Sequence, residues 1–334
     1  MNKQELARQY EPVLYFSRNG EGHEENFFPM SVDNFIADCR LYQGGEATPL
    51  QFPQGLTAKT LGQTPARVSK NYYLSYVADR FIGQTASWLK WFEDDGLVRF
   101  SVSEAPDEVE PEEAVSFGLM NEVAKSQQLP PDIITASIKQ YRPYQDFSRY
   151  PPVYTYRVMN NRGFTVIQYW FFYAFNDWGT SHNGMNDHEG DWETVYVFLE
   201  NSTPVYVAYA AHIGKPTTYP WSQVPTYQGS HPLVYVGCGS HASYIAPGIY
   251  KPVVGLTEYA QGNSQVHIGP GTQAPWGEPV DLSQQEWALN FAGNWGTTFR
   301  RFGSSAVSSG VQGPVGPAWQ FDKWERPVWI TGLG

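Results

Sequence analysis

From Phe164 to Leu199 the chain reads apolar, then polar, then apolar again. Thr165, Ile167, Tyr169, Phe171, Tyr173 and Phe175 alternate with Phe164, Val166, Gln168, Trp170, Phe172 and Ala174, and both sets are largely apolar. A period-2 run with two apolar faces predicts a central strand covered on both sides. Between Asn176 and Glu193 the character reverses, with Asp177, His182, Asn183, Asn186, Asp187, His188, Glu189, Asp191 and Glu193 in one short segment. A second strand is predicted to open at Asp191. That register puts Asp191, Glu193, Val195, Val197 and Leu199 on one face, and Trp192, Thr194, Tyr196 and Phe198 on the other. His188 falls in the loop ahead of it, free to fold back.

The same patterning predicts the rest of the fold. Residues 3–16 begin as an amphipathic helix and run into Val-Leu-Tyr-Phe. Ser31 is placed to cap a helix carrying Val32, Phe35, Ile36 and Cys39 toward a core. Helical spacing of Val115, Leu119, Val123 and Ala124, and then of Ile133, Ile134, Ile138 and Tyr141, predicts a helical pair at 111–142. The pair is either an insertion or two helices laid on a sheet. Val153–Met159, the turn Asn160-Asn161-Arg162-Gly163 and the central strand predict a hairpin. Val205–Ala211 and Leu233–Gly237 read as further strands, and Ser283–Glu286 as a capping box ahead of Trp287, Leu289 and Phe291. The expected fold is mainly β: an antiparallel β-sandwich with flanking helices and a helical insertion, in one domain spanning 1–334.

Composition narrows the function classes. At 334 residues the chain is long enough for a large core. Charged and aromatic residues each make up 16 %, which excludes a disordered chain. The 12 Trp and 22 Tyr either line a groove or fill an aromatic-rich core, with Trp178 and Trp221 the candidates to face a ligand. A net charge of −11 without basic runs argues against nucleic acid and against anionic membranes. Cys39 and Cys238 are far apart and read as thiols rather than a disulfide framework. The first ten residues lack an apolar signal core, and the longest apolar run is too short to span a bilayer. A soluble protein made in the cytoplasm is expected, with secretion by another route left open.

The polar segment carries the candidate chemistry. Acids and histidines between two core strands are costly unless something neutralises them. An Asp, a His and a Glu at a sheet end suit a hard divalent ion completed by water. The other reading is a solvated loop whose acids cap turns. His23, Glu24 and Glu25 are read as a solvated loop, because no periodic element fixes them. Ser240 and His241 make no triad: neighbours on a strand point to opposite faces, and no strained G-x-S-x-G elbow is present.

His188-Glu189-Gly190-Asp191-Trp192-Glu193 after YWFFYAFND, with GSHASY at 239–244, the GNWG…GPVGP pattern at 293–317, and EPVLYFS and ENFFP near the N-terminus, resembles the vacuolar protein sorting-associated protein 62 family over most of the chain. That resemblance implies little biochemistry. More locally, residues 188–193 resemble the GHRHDWE heptapeptide of the necrosis-inducing, ethylene-inducing-like cytolysins. There the first His, the Asp and the Glu, with an Asp from the preceding loop, hold a divalent metal in a β-sandwich. The resemblance implies Asp177, His188, Asp191 and Glu193 as ligands of calcium or magnesium, or manganese. His182, Asp187 and His241 are read beside it as residues that surround or complete the site. The resemblance also implies a glycan or lipid head group as partner. It departs at Glu189 and Gly190, where the cytolysins carry Arg and His, and at Asp187, where they carry Gly. Two other functions stay open. One is a hydrolase of a glycan, ester or phosphoester, with Glu189 or His241 as general base to a metal-bound water. The other is a structural or trafficking module with a metal staple.

Overall fold

The computed structural model describes residues 1–43, 49–63, 71–76, 131–178, 187–211, 215–252, 257–296, 299–300, 308–309 and 313–334. Helix α1 (Lys3–Gln9) opens with a capping box between Asn2 and Glu5 and leads into strand β1 (Val13–Tyr15). Helix α2 (Val32–Asp38) buries Val32, Phe35 and Ile36, as their spacing predicts, although the Ser31 side chain makes no cap. Strands β2 (Arg40–Gln43) and β3 (Tyr72–Ser75) pair antiparallel, with α3 (Ala58–Gly62) between them in sequence. Helix α4 (Pro131–Tyr141) follows. Ile134, Ile138 and Tyr141 pack into the same core as α2, so this helix lies on the body of the fold. The expected helix around Val115–Ala124 lies outside the described residues.

The framework is a six-stranded sheet. β4 (Tyr154–Asn161), β5 (Phe164–Asn176), β6 (His188–Glu200), β7 (Thr203–Tyr209) and β8 (Thr217–Pro220) run as an antiparallel meander. Arg162 and Gly163 both take positive φ, 47° and 89°, and join β4 to β5 as a two-residue turn suited to the sheet's twist. A second sheet is built on β1. β9 (Thr226–Tyr227), β10 (His231–Val236), β11 (Ser243–Tyr244) and, beyond the hairpin β12 (Gly248–Tyr250)–β13 (Glu258–Ala260), β14 (His267–Ile268) contribute to it or flank it. β1 lies between β10 and β14, parallel to the first and antiparallel to the second. Mainly antiparallel pairing was the expectation, and most of the pairing is antiparallel. β1 departs from it because it comes from the far N-terminus rather than from a neighbouring hairpin. β15 (Val280–Asp281) closes the six-stranded sheet beside β4, again in parallel.

The two sheets face each other across one core, where Leu14, Val234, Val236 and Ile268 meet Tyr169, Phe171, Tyr173, Val195, Val197 and Val207. The opposite face of the large sheet, with Trp170, Phe172 and Trp192, is covered by helical residues such as Phe35, Ile36 and Leu61, and by Trp287 of α5 (Glu286–Asn290) and Trp295. β5 is therefore buried on both sides from Val166 to Asn176, as its two apolar faces predict. Each large side chain enclosed there contributes about 1.5–3 kcal/mol. Among the described residues, many of the aromatic side chains go into these cores. The expected capping box at Ser283 does not form: Ser283 donates to Asp281 in a short turn, and α5 begins only at Glu286. Among the described residues no helix is long and apolar enough to cross a membrane.

Candidate functional site

The site is made by a break in β6. Asn176, Phe175, Tyr173 and Phe171 of β5 stand opposite His188, Glu189, Asp191 and Glu193 in one continuous register. In an unbroken strand Glu189, Asp191 and Glu193 would share a face. Gly190 prevents this. Its φ of +63° lies in the left-handed region, and a Cβ there would sit 2.1 Å from the Trp295 carbonyl oxygen. Across that residue Glu189 turns to the helix-covered face, and His188 comes round to the face of Asp191. His188 is also the first residue of the strand, not part of the loop.

On the inter-sheet face the polar side chains converge. The Asn176 amide donates to Asp191 Oδ2 at 3.0 Å. His241 Nδ1 donates to the same oxygen at 2.9 Å, and its ring stacks on Tyr173 with centroids 3.8 Å apart. His241 lies in the turn after β10 with φ +60°, so it does not follow strand alternation and is turned inward, fully buried. Its Nε2 stands 3.5 Å from Glu25 Oε1. Glu25 also accepts from the Gly239 amide, and Gly239 in turn accepts from the Asp177 amide. Asn26 donates to Asp177 Oδ2 at 3.2 Å. His188 is buried, with Nδ1 3.0 Å from the Gly190 carbonyl oxygen. Glu193 is buried near Tyr173 and Tyr244.

Among the described residues, acids outnumber bases here. Burial opposes the imidazolium of His241, but the Glu25 charge and the hydrogen bonds to Asp191 and Glu25 outweigh it and push its pKa up to about 10. Burial also works against the Asp191 carboxylate, yet its bond from His241 brings the group below the ordinary range. Burial and the neighbouring Glu25 charge push Asp177 up to about 7. Burial lowers His188, which leaves a neutral imidazole with Asp191 close by. Among the described residues four enclosed acidic groups, Glu25, Asp177, Asp191 and Glu193, thus stand near a single imidazolium. Oxygen donors with one neutral imidazole and an excess of negative charge fit a hard divalent cation. Among the described residues no three His, Cys, Asp or Glu side chains already converge as metal ligands. Asp191 is turned to Asn176 and His241, and Asp177 to Asn26.

Other expected residues fall elsewhere. Glu189 is fully buried on the opposite face, where Oε2 accepts from Ser75 Oγ at 2.8 Å and Oε1 from the Tyr76 amide at 3.0 Å. Its candidacy as a base beside His188 is corrected by the turn at Gly190. Trp221 packs edge-on against Tyr10, whose hydroxyl reaches Ser202 at the far end of the sheet, so it does not face the acid cluster. Trp178 and Asp187 are buried beside the site. His182 lies outside the described residues. Glu25, expected in a solvated loop with His23 and Glu24, is the residue the sequence pattern missed. His23 and Glu24 are exposed as expected, but Glu25 is enclosed. Its one signal is that it directly precedes Asn26-Phe27-Phe28, and the Phe pair draws the loop into the core.

No family model matches the sequence, and no curated protein matches it. Among solved structures the chain is similar to a necrosis and ethylene inducing protein 2 from the causal agent of cocoa's witches' broom disease. The identity is 23 % and the TM-score 0.23, over 28 % of this chain and 45 % of that one. It is also similar to the protein NLPPya, solved with glucosamine, at 16 % identity and a TM-score of 0.26, over 40 % of this chain and 52 % of that one. The same protein solved with mannosamine gives 17 % and 0.26, over 41 % and 54 %. The chain thus spans about half the length of these toxin-fold proteins. The resemblance to the vacuolar protein sorting-associated protein 62 family has no counterpart among these matches.

Proposed function

We propose that the chain holds a divalent cation, calcium or magnesium, at Asp177, His188, Asp191 and Glu193, and through it binds a hydroxyl-rich head group of a glycan or glycolipid. The observation that carries the first part is Asp177. It is an enclosed carboxyl whose pKa burial and the Glu25 charge push up to about 7, and a bound cation would favour its charged form. A bound cation would neutralise the acids and offer coordination positions to hydroxyl oxygens. The chain's own contribution is orientation: His241 and Asn176 fix Asp191, Asn26 fixes Asp177, and burial keeps His188 neutral. The head-group class comes from the resemblance of residues 188–193 to the cytolysin heptapeptide. Recognition is favoured over hydrolysis because the Glu189 carboxylate is engaged on the other face and His241 is held between Asp191 and Glu25.

The test takes the chelator-treated chain, reloaded with Mg²⁺ or Ca²⁺ or left bare. Binding is measured to glucosamine, to mannosamine and to vesicles with and without glycolipid. Binding that disappears on chelation and returns with the cation is the expected result. Binding indifferent to chelation, or absent from every arm, overturns the proposal.

A further inference from the structure

We propose that Glu25 is a positioning residue that sets the separation of Asp177 and Asp191, and with it the size of cation the site prefers. The inference rests on the cation-site reading above. Glu25 comes from the N-terminal loop, yet it is joined to both aspartates through intermediaries. One route is backbone. Glu25 Oε2 accepts from the Gly239 amide at 2.7 Å, and the Gly239 carbonyl accepts from the Asp177 amide at 3.1 Å. Gly239 takes φ +77°, and a Cβ there would lie 2.8 Å from Asp177 Oδ1, so the relay brings main chain against the carboxylate itself. A second route is local. Oε1 accepts from the amides of Asn26 at 2.8 Å and Phe27 at 2.9 Å, which fixes the loop from which Asn26 donates to Asp177 Oδ2. The third runs through the imidazole. Oε1 lies 3.5 Å from His241 Nε2, and Nδ1 of the same ring donates to Asp191 Oδ2 at 2.9 Å.

The chemistry requires a carboxylate at position 25. Both oxygens accept, Oε1 from the Asn26 and Phe27 amides and Oε2 from the Gly239 amide, with His241 Nε2 in ion-pair range of Oε1. An amide side chain of the same shape would turn a donor toward at least one of those donors. The three amide donors are satisfied without a cation, so Glu25 acts on the site through Gly239, Asn26 and His241. Second-layer partners of this kind typically alter metal affinity by about 10–100-fold. Mg²⁺ demands a near-ideal octahedron at short distances, whereas Ca²⁺ tolerates irregular ones. Loosening the two aspartates therefore weakens Mg²⁺ more than Ca²⁺.

The experiment is calorimetric titration of the full chain with MgCl₂ and with CaCl₂, in wild type, Glu25→Gln, Glu25→Asp and Glu24→Gln, alongside circular dichroism and melting curves. Glu25→Gln is expected to lose at least about tenfold in Mg²⁺ affinity and less in Ca²⁺ affinity. Glu25→Asp, with two acceptors on a shorter arm, is expected to fall between it and wild type. Glu24→Gln, at an exposed acid paired with Arg18, is expected to match wild type. Equal loss for both ions in a folded Glu25→Gln chain, or no loss at all, overturns the proposal and leaves the cation site standing. If Glu25→Gln does not fold, the Mg²⁺-to-Ca²⁺ ratio in Glu25→Asp decides, and an unchanged ratio overturns it. A wild-type chain that binds neither ion overturns both.

Discussion

Two buried carboxylates one residue apart, on either side of Gly190, have opposite surroundings. Glu189 lies against the helical core, where a serine hydroxyl and a backbone amide donate to it. Asp191 lies between the sheets with other acids, and His241 stands between it and Glu25. Both are enclosed, so burial alone does not mark a site. What separates them is the balance of donors and charge. Glu189 ties β3 to β6. Asp191 belongs to a group in which, among the described residues, acids outnumber cationic side chains, a pattern that suits a cationic ligand.

The comparison can be broken most severely at the residue that creates it. Gly190→Ala places a Cβ against the Trp295 carbonyl and forces a left-handed φ, so a destabilisation of about 2–5 kcal/mol is expected in urea unfolding. A neutral outcome would mean that the two faces are not separated by that residue. Cation removal comes next. Chelation should lower stability by about 2.7 kcal/mol relative to a hundredfold excess of ion over Kd, read as a concentration-dependent Tm. Glu189→Gln should destabilise by about 1–3 kcal/mol and leave cation affinity where it was. Lost cation affinity with an intact fold would return Glu189 to the site. The smallest effect belongs to Trp221→Ala, which should change neither cation nor head-group binding, because that ring packs on Tyr10.

The pH dependence of the metal-free chain sharpens the same contrast. Asp177 has a pKa of about 7 against an ordinary 3.8, so the folded chain keeps a proton that the unfolded chain sheds. Stability therefore falls as pH rises from about 4 through 7. His241, at about 10 against 6.5, has the same sign. Its contribution is complete below about 6.5 and is lost as pH rises through about 10. Asp191 is depressed and acts oppositely, with its contribution lost as pH falls through and below the ordinary carboxylate range. Melting curves in chelator should peak in mild acid and decline toward alkaline pH, and added cation should flatten the decline. A profile that rises through neutrality without metal would contradict the arrangement of Asp177 and His241.

Much of the fold was legible because apolar period carries it. The two-faced run in β5 and the Asp191–Leu199 alternation describe observed faces, and Asn161-Arg162-Gly163 marks an observed hairpin turn. Alternation failed where backbone conformation overrode it. At Gly190 a positive φ moved Glu189 to the other face, and at His241 another turned a side chain inward that strand logic leaves undetermined. Non-local partners were the other gap. Glu25 reaches Gly239 across 214 positions, and β1 pairs in parallel with β10, neither of which a period can announce. Asp177, His188 and Asp191 could be read from their density between two strands. Most of the residues that hold them could not, because Glu25 and Asn26 come from the N-terminal loop and Gly239 and His241 from the turn after β10.

The most direct test of the central claim is a calorimetric titration of the metal-free chain with Mg²⁺ and Ca²⁺, in wild type and Asp191→Asn, repeated in two buffers of different ionisation heat. A single cation per chain is predicted, with release of the proton held by Asp177 at neutral pH, and with binding abolished in the variant. Absence of binding in the wild-type chain, or binding that survives Asp191→Asn unchanged, would contradict the account.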